Sequence, residues 1–174
     1  MYFGKFLNKL MIFNIVGFNL AWFGLVYWGN TFIPFSLLLL SAHLYFIAKV
    51  PSELWLILSI TVIGTFIDSL FQYSTVFIFA NTSHIPFWLI VLWACFATTI
   101  CHSLQFLAKS KLLQLLVGGL FAPLSYIAGY KLQAVDFSLS PLITYLILSL
   151  VWAFLLVFFF ALKEKLVSVE VSYV

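Results

Sequence analysis

The chain has 174 residues, of which 65% are hydrophobic and only 7% are charged. A water-soluble domain of this length needs charged residues at about a quarter of its positions, so the composition excludes one and indicates a protein embedded in lipid. The net charge of +3 comes from lysines that flank the apolar segments. It therefore gives no reason to expect binding to nucleic acid.

Six apolar segments follow one another along the chain. Each is about 17 to 22 residues long, which matches a hydrocarbon core of about 30 Å at a helical rise of about 1.5 Å per residue. They predict an all-α, polytopic membrane protein with six transmembrane helices in one bundle. We expect residues 1–174 to form a single transmembrane domain. The segments cover residues 10–28, 32–48, 54–73, 86–107, 112–132 and 141–162.

The lysines predict the orientation of these segments. With six crossings, Lys131 lies on one side of the membrane and all the other lysines lie on the opposite side. The positive-inside rule then places both termini in the cytoplasm, as expected for a bacterial inner-membrane protein. The first segment ends in Tyr27-Trp28-Gly29 without a cleavage pattern, so we expect a retained helix rather than a signal peptide. The lysines on the cytoplasmic side are Lys5, Lys9, Lys49, Lys109, Lys111, Lys163 and Lys165.

A first layer of polar residues is predicted from helical rise. Counting from the nearest lysines places Asn14, His43 and His102 about 8 to 10 Å into the membrane, in its cytoplasmic half. The favoured interpretation is neutral imidazoles bonded to backbone carbonyls or to Asn14, which contribute modestly to helix packing. The alternative is a metal or haem site, but two histidines fall short of the four ligands that zinc normally requires. We therefore expect no metal and no cofactor.

A second polar layer lies deeper. Asp68 is about 22 Å from the cytoplasmic edge, Tyr126 reaches the same level, and Gln72 and Lys131 lie nearby. An ionised aspartate costs about 2.5 to 3.5 kcal/mol at the membrane centre, so Asp68 should face the bundle interior. It either handles a proton or ligand, or it fixes packing through an interhelical hydrogen bond or a pair with Lys131. About 12 Å separates the layers, which disfavours a direct pair with His102.

Several segments together resemble a known family. They are IVGFNLAWF after Asn14, FIDSL at 66–70, WLIVLWACFATTICHSLQFL at 88–107 and GGLFAPLSYIAGYKLQAV at 118–135. The chain resembles, over nearly its whole length, the bacterial membrane family called domain of unknown function 2878, in which a glycine often stands where this chain has Gln133. The resemblance implies a small polytopic inner-membrane protein and brings no activity with it. The motif positions that it indicates are Asn14, His43, Asp68, His102, Ser103, Tyr126 and Lys131.

We expect a protein that binds or transports a small molecule, ion or lipid through polar layers inside the bundle. The alternatives are a structural or assembly subunit of a membrane complex and an intramembrane enzyme that acts on a lipid, and a non-enzymatic role is favoured. The expected partners are the lipid bilayer, a small-molecule or lipid ligand and another membrane protein, but no nucleic acid. The candidate binding residues are Asn14, His43, Asp68, Gln72, His102, Ser103, Tyr126 and Lys131.

Overall fold

A computed structural model describes residues 2–48, 50–80 and 82–171, and only the backbone is described for 2–9 and 168–171. Most of these residues are helical. The α-helices are α1 (Tyr2–Trp28), α2 (Ile33–Phe46), α3 (Pro51–Tyr73), α4 (Phe87–Cys101), α5 (Lys111–Lys131) and α6 (Pro141–Val171). Two 3-10 helices, Gly29–Phe32 and Gln105–Lys109, and two short strands, β1 (Phe77–Ile78) and β2 (Asp136–Phe137), complete the described elements.

Four apolar helical stretches are long enough to cross a membrane: Leu10–Phe46, Pro51–Tyr73, Lys111–Lys131 and Pro141–Val167. Helix α4 is also apolar, but it has only 15 residues. Large apolar side chains cover the outside of the helices; examples that are 64 to 68% exposed are Leu38, Val62, Phe121 and Phe154. An apolar exterior of this extent is typical of contact with lipid.

The stretch Leu10–Phe46 folds back on itself as a hairpin. The side-chain nitrogen of Asn14 lies 3.5 Å from Nδ1 of His43, whereas a continuous helix would separate these two residues by about 43 Å. The reversal begins at Gly29, whose φ of +59° lies in the left-handed region that a residue without a Cβ adopts at little cost. Helices α1 and α2 are therefore antiparallel neighbours.

A two-stranded ribbon joins the α3–α4 connection to the α5–α6 connection, a feature that an all-α prediction omits. Phe77 pairs with Phe137 and Ile78 pairs with Asp136 in antiparallel register. Gln133 precedes β2 with a φ of +61°, a conformation that favours glycine, the residue that the resembled family often has there. We call this end of the bundle, marked by β1 and β2, the ribbon end.

Helix α4 ends earlier than its apolar sequence predicts. The predicted segment extends to residue 107, but the helix stops at Cys101 and His102 has a φ of −122° and a ψ of −89°. The N–H groups of His102 and Leu104 both bond to the carbonyl of Thr99, at 3.1 and 2.8 Å, so the helical ladder cannot continue. The predicted end at residue 107 is therefore wrong, and the chain continues through a turn into the second 3-10 helix.

Helices α5 and α6 approach each other closely at two glycines. A methyl group on Gly118 would collide with the backbone carbonyl of Trp152, and one on Gly119 would lie 3.2 Å from the carbonyl of Ser149. Small residues allow this approach because the two backbones come into direct contact. The close helix packing typical of such a glycine pair is thus present between α5 and α6.

Candidate functional site

Three ionisable side chains meet at the end of the bundle opposite the ribbon. One oxygen of Glu53, Oε1, lies 3.0 Å from Nε2 of His43 and 2.8 Å from Nε2 of His102. The side chains of His43 and Glu53 are 6% and 4% exposed, and that of His102 is 20% exposed. The centres of the two imidazole rings are 4.9 Å apart. We call His43, Glu53 and His102 the histidine–glutamate cluster, and this end of the bundle the histidine end.

Local sequence explains how His43 and Glu53 come together. His43 lies in the last turn of α2, where a cationic or hydrogen-donating side chain is favoured, and Glu53 lies in the first turn of α3, where a carboxylate is favoured. Pro51 starts α3, and its missing N–H costs nothing at the first helical position. The short connection between the helices reverses the chain, so the two side chains face each other.

Asn14 bonds to a backbone N–H that has no partner within α4 because this helix ends early. The N–H of Ser103 has left the helical ladder, and it donates to Oδ1 of Asn14 at 3.3 Å. The amide nitrogen of Asn14 donates to the hydroxyl of Thr98 at 3.1 Å, so α1 is bonded both to α4 and to the turn that follows it. In a lipid environment an unpaired backbone N–H is costly, which gives Asn14 a structural role.

Lys163 satisfies the complementary group from α6. Its ammonium donates to the carbonyl of Ile100 at 3.0 Å and also contacts the side-chain oxygen of Gln105. The last carbonyls of a helix have no partner within the helix, and a cation near them is favourable. Helices α1 and α6 therefore hold the end of α4 from two sides, where His102 is presented to Glu53.

The structure brings Asn14, His43 and His102 together, as their predicted common layer requires. His102 directly follows the last residue of α4, and Glu53 lies in the first turn of α3. The chain between His102 and Lys109 is a turn and a 3-10 helix rather than an α-helix, so the count of helical rise from Lys109 does not hold for His102. The depth of this layer in the membrane stays a prediction. Lys49, the other marker, lies outside the described residues.

The predicted partners of the histidines are correct only in part. Asn14 lies 3.5 Å from Nδ1 of His43, as expected, but both rings pair with the carboxylate of Glu53 rather than with backbone carbonyls. Sequence analysis misses Glu53 because a charged residue beside the end of an apolar segment is typical of a solvated boundary. The signal that could have found it is its position: His43 and Glu53 each lie within one helical turn of the same short connection.

Asp68 is completely buried near the other end of α3. Its two carboxylate oxygens accept hydrogen bonds from Nε1 of Trp93 at 2.7 Å and from the hydroxyl of Tyr126 at 3.0 Å. The predicted interior orientation of Asp68 and its common level with Tyr126 are thus confirmed. Fifteen residues of α3 separate Asp68 from Glu53, a rise of about 22 Å along that helix. A direct pair between Asp68 and His102 is not formed.

The other two residues of the predicted deep layer lie outside the Asp68 network. Lys131 places its ammonium 5.9 Å from the ring centre of Tyr130, so the predicted ion pair with Asp68 is wrong. Gln72 directs its amide nitrogen to the carbonyl of Thr82 in the α3–α4 connection, at 3.5 Å. The network of Asp68 therefore consists of aromatic donors.

An aromatic cleft of about 80 Å³ lies beside this network. Trp93 and Tyr126 line the cleft with their rings while their polar atoms bond to Asp68, so the buried carboxylate fixes two of its walls. The ring of Trp93 also stacks on that of Trp152 at 5.1 Å with an angle of 6°. The lining residues are Phe18, Trp22, Val26, Phe79, Trp88, Leu89, Leu92, Trp93, Phe96, Ser125, Tyr126, Gly129, Val135 and Trp152.

Comparison with known proteins decides the family. The model of the family described as Protein of unknown function (DUF2878) matches residues 11–158, a range that contains every candidate residue named above except Lys163. The chain belongs to the DUF2878 family. No curated protein and no solved structure matches the chain. Membership of DUF2878 brings no activity with it, so a function for this member has to come from the geometry of its two clusters and its cleft.

Proposed function

We propose that this DUF2878 protein binds a small amphipathic molecule with a lipid-like apolar chain, and that the aromatic cleft holds the chain. The observation that carries the proposal is the cleft itself, because aromatic rings from several helices converge on one space and a buried carboxylate holds two of them in place. Concave, mainly apolar sites with a few fixed polar groups are the usual form of small-molecule sites.

The lining of the cleft favours an apolar ligand segment over a charged one. Both oxygens of Asp68 accept hydrogen bonds, one from Trp93 and one from Tyr126. Asp68 therefore positions the wall of the cleft and does not bind a cation. The hydroxyl of Ser125 donates to the carbonyl of Ala122 in its own helix at 2.7 Å. A space of about 80 Å³ accommodates a short stretch of hydrocarbon chain, and the rest of the ligand would extend into the surrounding lipid.

The same geometry favours binding over passage through the bundle. Between Asp68 and Glu53 the buried face of α3 carries Leu56, Ile57 and Ile60, which are at most 3% exposed. These apolar side chains lie between Asp68 and Glu53 along α3, over a rise of about four helical turns. A polar path along α3 between these two carboxylates would have to cross this packing.

We further propose that the protein crosses the bacterial inner membrane six times as a single transmembrane domain, with both termini in the cytoplasm. The hairpin of α1 and α2 supports two crossings for Leu10–Phe46, and α4 supplies a short one between the ribbon end and the histidine end. Lys109 and Lys163 lie at the histidine end, which the positive-inside rule would place in the cytoplasm. The side chains of Lys5 and Lys9 and the whole of Lys49 lie outside the described residues.

Tryptophan fluorescence can test the proposed ligand site. Trp28 and Trp55 are 52% and 66% exposed, so replacing both by phenylalanine removes the indoles that face bulk lipid or detergent. The remaining indoles all line the cleft: Trp22, Trp88, Trp93 and Trp152. Titration of this variant in detergent with a spin-labelled fatty acid should quench its fluorescence in a saturable manner.

A cavity-filling substitution provides the matched control. Ser125→Phe should abolish saturation because the new ring occupies the cleft. Ser59→Phe should leave it unchanged, because Ser59 lies on α3 away from the cleft and its hydroxyl likewise bonds its own helix, at 2.8 Å to Trp55. Quenching that rises linearly with fatty acid and is equal in both variants would refute the proposal.

A further inference from the structure

We propose that the histidine–glutamate cluster is a zinc site, with Nε2 of His43, Oε1 of Glu53 and Nε2 of His102 as its protein ligands. This site uses none of the residues that line the aromatic cleft, so it does not depend on the ligand proposed there. Two histidines and one glutamate form one of the donor sets that bind zinc with three protein ligands and leave a fourth position open. Glu53 thus supplies the donor that the histidines alone lack.

The spacing of the donor atoms fits such an ion. All three atoms lie within 4.8 Å of one another. In a tetrahedral site with bonds of about 2.0 to 2.1 Å, neighbouring ligand atoms are about 3.3 Å apart. Oε1 of Glu53 is 3.0 Å and 2.8 Å from the two imidazole nitrogens, so these two edges must widen by a few tenths of an ångström to admit the ion. The third edge, between the two imidazole nitrogens, is within 4.8 Å, and rotation of the rings must bring it to the same length.

Burial of the cluster is uneven in a way that suits an open coordination position. His43 and Glu53 are almost completely buried, which protects the bonds that they would form. His102 is 20% exposed, and its side of the cluster offers a route for the ion and a place for a water ligand. Zinc would also neutralise the negative charge that Glu53 carries in an apolar bundle.

Asn14 is the positioning residue of this proposed site. A histidine that binds zinc through Nε2 carries its proton on Nδ1, and this N–H needs an acceptor. The oxygen of Asn14 accepts from the N–H of Ser103, the neighbour of His102, and its amide nitrogen lies 3.5 Å from Nδ1 of His43. Asn14→Asp keeps one oxygen for Ser103 and offers a second to the Nδ1–H of a zinc-bound His43, so it should retain zinc affinity. Asn14→Leu should lower it by about tenfold or more, as is typical when an outer hydrogen-bond partner is lost.

The test uses the full chain, purified in detergent without a polyhistidine tag and treated with a chelator. Zinc titration against a coloured competing chelator should show one tight site per chain. Cobalt should give the strong visible absorption of a tetrahedral ion. Glu53→Gln and His102→Ala should each weaken zinc binding beyond the tenfold to hundredfold range typical of a lost outer partner. His84→Ala should bind as the unchanged protein does, because His84 is exposed in the α3–α4 connection at the ribbon end, opposite the cluster.

The cobalt spectrum is measured on the unchanged protein, so it remains decisive even where a variant fails to fold. A wild-type chain that binds zinc no more tightly than the Glu53→Gln/His102→Ala double variant would overturn the proposal, as would a weak, octahedral cobalt spectrum. Either result would leave the cluster as a hydrogen-bonded network only. Ser125→Phe, which fills the aromatic cleft, should not change zinc affinity, so failure of this site and failure of the cleft are distinguishable.

Discussion

Asp68 positions two aromatic side chains and has no free oxygen for a reaction. Both of its oxygens are engaged, one by the indole N–H of Trp93 and the other by the hydroxyl of Tyr126. Gly64, one turn earlier on α3, has no side chain, and a methyl group there would collide with the ring of Trp93. Gly64 and Asp68 therefore hold the indole of Trp93 against α3. Its N–H bonds to Asp68, and its ring stacks on that of Trp152.

Coupling between Asp68 and Tyr126 can be measured with a double-mutant cycle. Tyr126→Phe should lower the free energy of unfolding by about 1 to 3 kcal/mol, the usual cost of leaving a buried hydrogen-bonding group without its partner. In an Asp68→Leu background the same change should cost almost nothing, because the acceptor has already been removed. Tyr145→Phe is the control: its hydroxyl bonds the carbonyl of Leu120 at 3.1 Å and should cost the same in both backgrounds. Equal effects of Tyr126→Phe in the two backgrounds would contradict this account.

Individual residues differ in how well sequence reveals them. Asp68 can be predicted because an ionisable group deep in an apolar segment must turn inward, and the energetic cost of lipid exposure is large. Its partner Trp93 cannot be predicted, because an indole is stable both in a protein core and in contact with lipid. Glu53 shows the opposite problem, since a carboxylate at a segment end satisfies every rule for an exposed residue and yet is 3% exposed.

Among the helices, α3 and α5 match their predictions closely and α4 does not. Apolar length predicts segments at 54–73 and 112–132, and the structure has Pro51–Tyr73 and Lys111–Lys131. Prolines and charges near these ends make them visible in the sequence. The end of α4 depends on partners far away along the chain, namely Asn14 and Lys163, which lie 89 and 63 residues from the groups they satisfy. The apolar pattern of a segment therefore cannot predict where such bonds end the helix.

The packing of α5 on α6 gives a prediction at this scale. Gly118→Ala should lower the free energy of unfolding by about 1 to 3 kcal/mol, because the new methyl meets a backbone carbonyl that cannot rotate away. Gly17→Ala on α1 is the matched control. No atom among those described lies within 4 Å of the position its methyl would take, so this change should be neutral or stabilising by up to about 1 kcal/mol. Thermal unfolding in detergent would measure both, and equal destabilisation would argue against the close approach.

For the molecule as a whole, the two clusters mark opposite ends of one bundle. The ribbon of β1 and β2 ties the connections at one end, and the histidine–glutamate cluster ties α2, α3 and α4 at the other. The proposed six crossings count the hairpin Leu10–Phe46 twice, the three other long stretches once each and the shorter helix α4 once.

Cysteine labelling tests that topology. In a background with Cys95 and Cys101 replaced by alanine, Thr31→Cys and Ser83→Cys should react with a membrane-impermeant maleimide in cells whose outer membrane has been permeabilised. Lys109→Cys should react only after lysis, because it lies at the histidine end. All three positions are exposed on the protein. Labelling of Thr31→Cys only after lysis would mean that the hairpin does not cross, and the count of six would fail.

The bonds at the end of α4 also set an order for biosynthesis. Asn14 has already been made when Ser103 emerges from the ribosome, so this N–H finds its acceptor at once. The carbonyl of Ile100 must wait for Lys163, 63 residues later, which at about 5 to 20 residues per second takes about 3 to 13 s. During that interval the carbonyl of Ile100 at the end of α4, next to His102, lacks the bond from Lys163. Synthesis of α6 then supplies this bond.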